Sequence, residues 1–479
     1  MSKRLGLFLG PILFLLFLLS LRTDALSSEA SLVLAMAVWM IIWWVTDAVP
    51  LPVTALLPMT LLPLTGVFTM VEATTPYAHP IIFLFMGGFL IALALEKHGL
   101  HRRIALRILQ VTGTHVNGIL LGFMLSSAFL SMWISNTATA VMMLPIANSI
   151  FQLLEETGET QEDNKAMKRF KVELLLGIAY AANIGGMATL IGTPPNMVMV
   201  GFMQEFADVE VDFSRWLLLG GSISVVLLAT MYIFFTKIFF RHGLQQLKGA
   251  DMMVRQQRKK MGNMQRAEKL VLGVFCLAIC CWIFKDQING VLGDNYLNDT
   301  VIAMGGGVLM FVIPLHNRKP IFVLHWEDTQ RLPWGILLLF GGGLCLAKGL
   351  QEFGVIEYMG NMISANLDLP SDVLTGILTV FTVFATELTS NTALATIFIP
   401  VVINLSDILQ VDTMLMVVPV TLAASCAFMM PIATPPNAVV FSSGHIKIMD
   451  MIKVGFWLNM ISLVVILLMS KLLIPLIYG

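Results

Sequence analysis

The chain has 479 residues, 57% of them apolar and 12% charged, with a formal net charge of −1. Soluble proteins average about 25% charged residues, so this chain has too few to coat a globular surface in water. A soluble enzyme, a disordered regulator and a nucleic-acid binder are therefore disfavoured. The apolar residues fall in runs of 17 or more with few charges, the pattern of membrane-spanning helices, not of the short alternating strands of a β-barrel.

The amino terminus, Met1-Ser2-Lys3-Arg4 ahead of Leu5 to Leu21, has the build of a signal peptide. With further spans behind it, it reads as an uncleaved first helix. Eleven spans are predicted near residues 6–22, 29–48, 52–68, 80–96, 172–200, 216–240, 269–285, 298–314, 333–350, 413–441 and 454–477. Two other apolar stretches, 117–152 and 371–406, each hold two short helices broken by a polar cluster. These read as re-entrant hairpins, because polar, non-helical backbone at membrane depth must be buried in protein or line a cavity. The five cysteines (Cys276, Cys280, Cys281, Cys345 and Cys426) sit in apolar runs, fit no zinc spacing and read as small lipid-facing or packing residues.

Loop charges give an orientation. Placing the amino terminus in the cytoplasm puts the segments around 97–107, 153–171, 241–269, 316–331 and 445–453 there too, and these carry most of the 29 Lys and Arg. The other side is acidic, with Glu205, Asp208, Glu210, Asp212, Asp286, Asp294 and Asp299. That bias obeys the positive-inside rule, which also accounts for the basic stretch Arg255 to Lys260. The carboxyl terminus is then expected outside, in the plasma membrane of a bacterium (the inner membrane).

Repeats organise the rest. Ser135-Asn136-Thr137-Ala138-Thr139-Ala140 and Ser390-Asn391-Thr392-Ala393-Leu394-Ala395 lie 255 residues apart, and each runs on to a proline, Pro145 or Pro400. Upstream, Gly87-Gly88 matches Gly341-Gly342 at an offset of 254, and Gly99 matches Gly354 at 255. Downstream, Gly192-Thr193-Pro194-Pro195-Asn196 matches Ala433-Thr434-Pro435-Pro436-Asn437 at 241. Five spans separate the hairpins, an odd number, so the halves form an inverted-topology repeat of the kind found in secondary transporters. An amphipathic stretch follows each Gly-Gly span. Leu100, Ile104, Ile108 and Val111 share a face in the first, with Arg103 and Arg107 off it; Val355, Met359, Met362 and Ile363 share one in the second, with Glu352 and Glu357 elsewhere. Both read as interfacial helices on opposite membrane sides.

The duplicated motifs carry chemistry. Ser135 and Ser390 are natural N-caps for the Ala-rich helices that follow. A helix N-terminus offers free N–H groups and partial positive charge to a carboxylate without any Lys or Arg. The helix ending at the same turn leaves carbonyls for Na⁺. Asn136 and Asn391 each carry an amide oxygen for a cation and an NH₂ for an anion. Proline disfavours helix in the residue before it, so Gly192-Thr193 and Ala433-Thr434 should be unwound, with Thr193 and Thr434 capping the helices that restart. Pseudo-symmetry is expected to bring the two turns and two broken spans together near the midplane. Single Ser, Asn or Thr residues in membrane helices often only pack, but two copies at helix breaks, each paired with T-P-P-N, point to a binding site. Glu387 is read as a scaffold hydrogen-bonding group or a proton site, Asp47 as an interfacial or capping residue, and the Gly pairs as close helix packing.

At these motifs the chain resembles the divalent anion:sodium symporter family, sodium/dicarboxylate type. The segment from Ala424 to Val440 is similar to that family's signature, and Trp43-Trp44-Val45-Thr46-Asp47-Ala48-Val49-Pro50-Leu51-Pro52 to its early segment, although the family usually has Glu where Asp47 stands. The resemblance implies a homodimeric, all-α polytopic membrane protein of about 11 transmembrane helices plus two re-entrant hairpins, working as an elevator. Residues 1–110 and 246–366 would be scaffold, and 111–245 and 367–479 transport parts, with broken helices at 193–196 and 434–437. It implies a first Na⁺ site at Ser131, Ser135, Asn136 and Gly192, and a second at Thr386, Thr389, Asn391 and Ala433. Substrate would touch Ser135, Asn136, Thr137, Ser390, Asn391 and Thr392, with Thr193, Thr434 and Pro435 nearby. The expected function is Na⁺-coupled symport of a C4-dicarboxylate (succinate, malate or fumarate), with Na⁺ as co-transported ion, membrane lipid as surroundings, and no organic cofactor or nucleic acid. Sulfate or citrate transport and Na⁺-independent exchange stand as alternatives on the same fold. A membrane enzyme or an anion channel is a different-class alternative. An enzyme lacks a catalytic constellation here, since His79, His98 and His101 show no H-E-x-x-H spacing, and a channel sits poorly with an inverted repeat.

Overall fold

A computed structural model describes residues 3–20, 26–113, 115–157, 161–240, 243–244, 250–316, 319–358 and 369–479. The helices follow the hydropathy: Lys3–Ser20, Ser28–Thr46, Pro80–Lys97, Phe213–Ile233, Arg266–Ile283, Asp299–Val312, Trp334–Glu352 and Ile448–Ile477 each fall on a predicted span. Local chemistry sets their ends. The Ser27 hydroxyl accepts from the Ala30 N–H at 3.1 Å and starts the second helix. Asp47 ends it in the left-handed region (φ 47°), its N–H donating to the Trp43 carbonyl, and its carboxylate pairs with Lys3. Asp47 is thus the capping residue expected.

By length and composition, six of the described helices can cross a membrane, or seven if a bent pair counts as one span. The predicted span 52–68 is two short helices, Leu51–Thr54 and Leu57–Leu64, broken at Ala55 and Leu56 just ahead of Pro58, which stands in the first turn of the second and has no N–H to continue the helix. The span 269–285 bends by 77° into a short helix, Lys285–Leu292. The expected cytoplasmic loop after residue 312 holds a small antiparallel ribbon, Pro314–His316 with Lys319–Phe322, the one departure from all-helical structure among the described residues.

The predicted hairpins are present as helix pairs. The first is Val116–Ser131 and Asn136–Thr157, and the second Ser371–Ala385 and Asn391–Ile408. In the second, the rings of Phe381 and Phe398 lie 5.3 Å apart, so the chain doubles back on itself. Both predicted broken spans are broken, with helix ending at Gly186 and resuming at Pro194, and ending at Ala424 and resuming at Pro435. The repeat extends to backbone angles. Gly99 and Gly354 share a left-handed conformation (φ 70° and 72°) ahead of the two amphipathic stretches.

The first of those stretches is the helix Leu100–Val111. Of the apolar face read from the sequence, Leu100 is buried, Ile104 and Ile108 are half-buried and Val111 is exposed. Ala105, Leu106 and Leu109 are buried with Leu100. Arg103, off that face, makes a two-point contact with Glu268 (2.8 and 3.0 Å) and donates to the Gly262 carbonyl at 3.0 Å. The second stretch is helical from 355 to 358; Met359, Met362 and Ile363 lie outside the described residues.

The chain forms two compact units. One comprises Met1–Met86, Pro194–Val211 and Pro333–Ala424, and the other Gly87–Thr193, Asp212–Leu332 and Ser425–Gly479. These boundaries follow proximity and do not coincide with the scaffold and transport parts, which are defined by expected motion. The first unit's core gathers Met36, Met40, Trp44, Phe68, Leu339 and Cys345. Glycines let its helices touch: a Cβ on Gly342 would meet the Ala55 backbone, and one on Gly341 the Tyr77 ring and backbone. In the second unit Phe213 stacks on Trp282 with centroids 4.4 Å apart. Lys285 there pairs with Asp212 and, at 3.2 Å, Asp299. Gly87 packs on the backbone of Ala303 and Met304. The Gly pairs are close-packing positions, as read.

Candidate functional site

Each hairpin turn is built the same way. Ser135 accepts from the Ala138 N–H at 3.1 Å, and Ser390 from the Ala393 N–H at 3.5 Å, so both serines cap the returning helix. One turn back along the arriving helix, the Ser131 hydroxyl donates to the Asn136 amide oxygen. In the second hairpin the Thr386 hydroxyl donates to the Asn391 amide oxygen at 2.7 Å. All these residue pairs are related by the same offset of 255. Thr137 and Thr392 stand half-buried in the first turn beyond each cap, where free N–H groups gather.

The second unit holds the first turn together with both helix breaks. A Cβ on Gly186 would stand 2.7 Å from Asn136 Oδ1 and 3.0 Å from the Gly192 carbonyl oxygen. Ser131, Asn136 and Gly192 are thereby brought together around a backbone that only glycine permits. Ser135, whose oxygen faces its own cap, is exposed beside them. Thr193 is buried, its hydroxyl 3.5 Å from that of Ser425. Thr434 caps the helix restarting at Pro435, accepting from the Asn437 N–H at 3.4 Å, as expected. Pro435 is exposed and Ala433 buried.

The first unit holds the second turn. The Thr386 hydroxyl lies 2.7 Å from Asn391 Oδ1 and 2.8 Å from the Ala424 carbonyl oxygen. Three oxygens thus share one proton, an arrangement that a hard cation satisfies better than hydrogen bonding does. The neighbouring carbonyl is that of Ala424; Ala433 belongs to the other unit. Thr389 is half-buried and its hydroxyl reaches only the Ser390 carbonyl, at 3.4 Å. Glu387 is 3% exposed.

Sequence reasoning missed Asn183 and Tyr180 here, and gave Asn437 of the T-P-P-N motif no role. Asn183, 1% exposed, donates from Nδ2 to Thr434 Oγ1 at 3.2 Å and lies 3.5 Å by Oδ1 from Asn136 Nδ2. Tyr180 donates its hydroxyl to the Phe428 carbonyl at 2.6 Å. The Asn437 side chain donates to the carbonyls of Ala427 and Met430 at 2.9 and 3.1 Å. The last two hold the unwound segment before Thr434 in shape by satisfying carbonyls that helix would otherwise use. A polar side chain one turn before a helix break was the available signal for Asn183.

The family profile described as sodium:sulfate symporter transmembrane region matches residues 2–478. The chain belongs to this symporter family. It is similar along its whole length to the sodium-dependent dicarboxylate transporter SdcS of Staphylococcus saprophyticus, with 41% identity covering 100% of this chain and 92% of the relative. The protein of the same name from Staphylococcus aureus strain NCTC 8325 is 39% identical with the same coverage. Two solved structures share the fold. The Alcanivorax borkumensis YdaH transporter has a TM-score of 0.52 at 13% identity, covering 93% of this chain and 97% of that one. Neisseria gonorrhoeae MtrF, described among antimetabolite efflux pumps, has a TM-score of 0.57 at 12% identity, covering 97% and 94%. This member of the symporter family is an all-α polytopic membrane transporter, and not an enzyme.

Proposed function

We propose that this symporter-family protein carries C4-dicarboxylates across the plasma membrane by Na⁺-coupled symport. The observation that carries the reading is the matched pair of oxygen clusters, Ser131 with Asn136 and Thr386 with Asn391, at two capped helix starts. Each places a seat for a cation beside a helix N-terminus suited to a carboxylate. The relatives named as sodium-dependent dicarboxylate transporters, about 40% identical throughout, support both the ion and the substrate class. A dianion held without Lys or Arg needs compensating charge, and helix N-termini with bound Na⁺ supply it.

In this reading Ser131, Ser135, Asn136 and Gly192 form one Na⁺ site, and Thr386, Thr389 and Asn391, with Ala433 or the Ala424 carbonyl, form another. Ser135, Asn136, Thr137, Ser390, Asn391 and Thr392 contact the carboxylates, with Thr193, Thr434 and Pro435 alongside. The protein works as a homodimeric elevator in the plasma membrane, with residues 1–110 and 246–366 as scaffold and 111–245 and 367–479 as moving parts. The amino terminus is cytoplasmic and the carboxyl terminus outside, from the Lys and Arg bias of the loops.

Sulfate is the second reading, favoured by the family description itself. Counterflow of labelled succinate in proteoliposomes, challenged by unlabelled succinate, malate, citrate and sulfate, separates the two. C4-dicarboxylates compete and sulfate does not if the proposal holds; sulfate exchange that succinate leaves untouched overturns it.

A further inference from the structure

We propose that Asn183 is a positioning residue that sets the polarity of both the first cation seat and the Thr434 hydroxyl, so linking cation to anion. The inference rests on the transport reading above and adds a residue to it. Asn183 sits on the last full turn of Gln161–Gly186, just before the break, and is 1% exposed. Its two amide atoms face in different directions. Nδ2 donates to Thr434 Oγ1 at 3.2 Å, and Oδ1 receives Asn136 Nδ2 at 3.5 Å.

The consequences follow from counting donors and acceptors. Thr434 Oγ1 accepts from Asn183 Nδ2 and from the Asn437 N–H. A hydroxyl has two lone pairs and one proton. With both lone pairs used, the Thr434 proton points outward and is offered to an acceptor, which suits a carboxylate. At Asn136, the NH₂ turned to the Asn183 oxygen leaves Oδ1 facing Ser131, Gly186 and Gly192. A reversed Asn136 amide would put N–H groups among the oxygens meant for Na⁺. One of the two Asn136 N–H bonds is spent on Asn183 and one is left for the anion.

The repeat argues that this is not generic packing. The offset of 241 that relates the two T-P-P-N motifs carries Asn183 onto Ala424, which has no side-chain amide. There the Ala424 carbonyl itself accepts from Thr386. The device therefore exists once, in the first half, and makes the two candidate cation seats unequal.

The test is a double-mutant cycle on purified protein in proteoliposomes. Asn183→Leu, Thr434→Val and the double variant are compared for half-saturating succinate at saturating Na⁺, and for half-saturating Na⁺ at saturating succinate. Each single change is expected to raise half-saturating succinate about tenfold, the loss of one hydrogen bond to a charged group. The double variant should match Thr434→Val, because Asn183 acts on succinate mainly through that hydroxyl. Factors that multiply, or wild-type succinate dependence in Asn183→Leu, overturn the proposal. Asn183→Asp provides a variant of unchanged shape. It keeps the acceptor for Asn136 but draws the Thr434 proton inward, so succinate binding should weaken while Na⁺ dependence holds. Equal loss of both, with a lowered ligand-free melting temperature, marks a merely structural residue and overturns it. Sulfate run in parallel separates this from the substrate class. A wild type responding to sulfate alone overturns the dicarboxylate reading and moves the cycle to sulfate, while a wild type responding to neither overturns both.

Discussion

Replacing Gly186 with alanine is the sharpest probe of the first cation seat. The new methyl carbon would stand 2.7 Å from Asn136 Oδ1, 3.0 Å from the Gly192 carbonyl oxygen and 3.1 Å from Asn136 Nδ2. Carbon–oxygen contacts settle at about 3.3 Å or beyond, so the two oxygens must retreat by roughly 0.3–0.6 Å. Metal–ligand distances tolerate about 0.2 Å. Both oxygens therefore leave the cation's reach or bind it strained. At ~1.5–3 kcal/mol for a contact to a charged group, Na⁺ affinity should fall by about tenfold to a hundredfold, with roughly 1–3 kcal/mol of overpacking cost to stability. Gly177→Ala on the same helix is the control. Its Cβ meets side-chain atoms and no site residue, Leu120 Cδ1 at 3.0 Å and Met124 Cγ at 3.4 Å. Na⁺ titration of succinate uptake reads both. Unchanged Na⁺ dependence in Gly186→Ala, or an equal loss in Gly177→Ala, would refute the placement of the cation at Asn136 and Gly192.

Three other outcomes are expected. Thr137→Ala and Thr392→Ala raise the KM for succinate more than the half-saturating Na⁺ concentration, each by ~1.5–3 kcal/mol; unchanged succinate KM in both removes these threonines from the site. Asn136→Asp and Asn391→Asp abolish dicarboxylate uptake while Na⁺-dependent thermal stabilisation survives, since a new charge ~4 Å from a carboxylate at an effective dielectric of ~20 repels by ~4 kcal/mol; lost Na⁺ stabilisation with succinate binding intact reverses the roles. Cysteines at the exposed positions 107 and 357, with the native Cys276, Cys280 and Cys281 replaced, label from opposite membrane sides with an impermeant maleimide. Labelling of both from one side contradicts the inverted repeat.

The parts legible in the sequence were those fixed by local chemistry. The paired prolines after Thr193 and Thr434 disfavour helix in the residue before them, and a Ser ahead of an Ala-rich helix caps it, so the breaks and caps are where the pattern puts them, while single prolines such as Pro145 and Pro400 lie inside helices. Hydropathy likewise locates spans, but not their integrity: a break just ahead of Pro58 cuts one that counts as continuous by apolar length. What was not legible depends on partners far apart in the chain. Arg103 on Leu100–Val111 meets Glu268, 165 residues away, a partner no local pattern announces. Asn183 reads as one polar residue in the apolar second half of its helix until Asn136 and Thr434, 47 and 251 residues distant, are brought against it. The Ala424 carbonyl was invisible for the same reason, because an alanine's backbone carries no signature of its surroundings.

Coupled transport itself is tested most directly by uphill movement. Proteoliposomes containing the purified protein are given labelled succinate at equal concentration inside and out, with Na⁺ outside and choline inside. Symport predicts that succinate accumulates above its external concentration and that a Na⁺ ionophore abolishes the overshoot. Equilibration without overshoot, identical with choline on both sides, would contradict Na⁺-coupled symport.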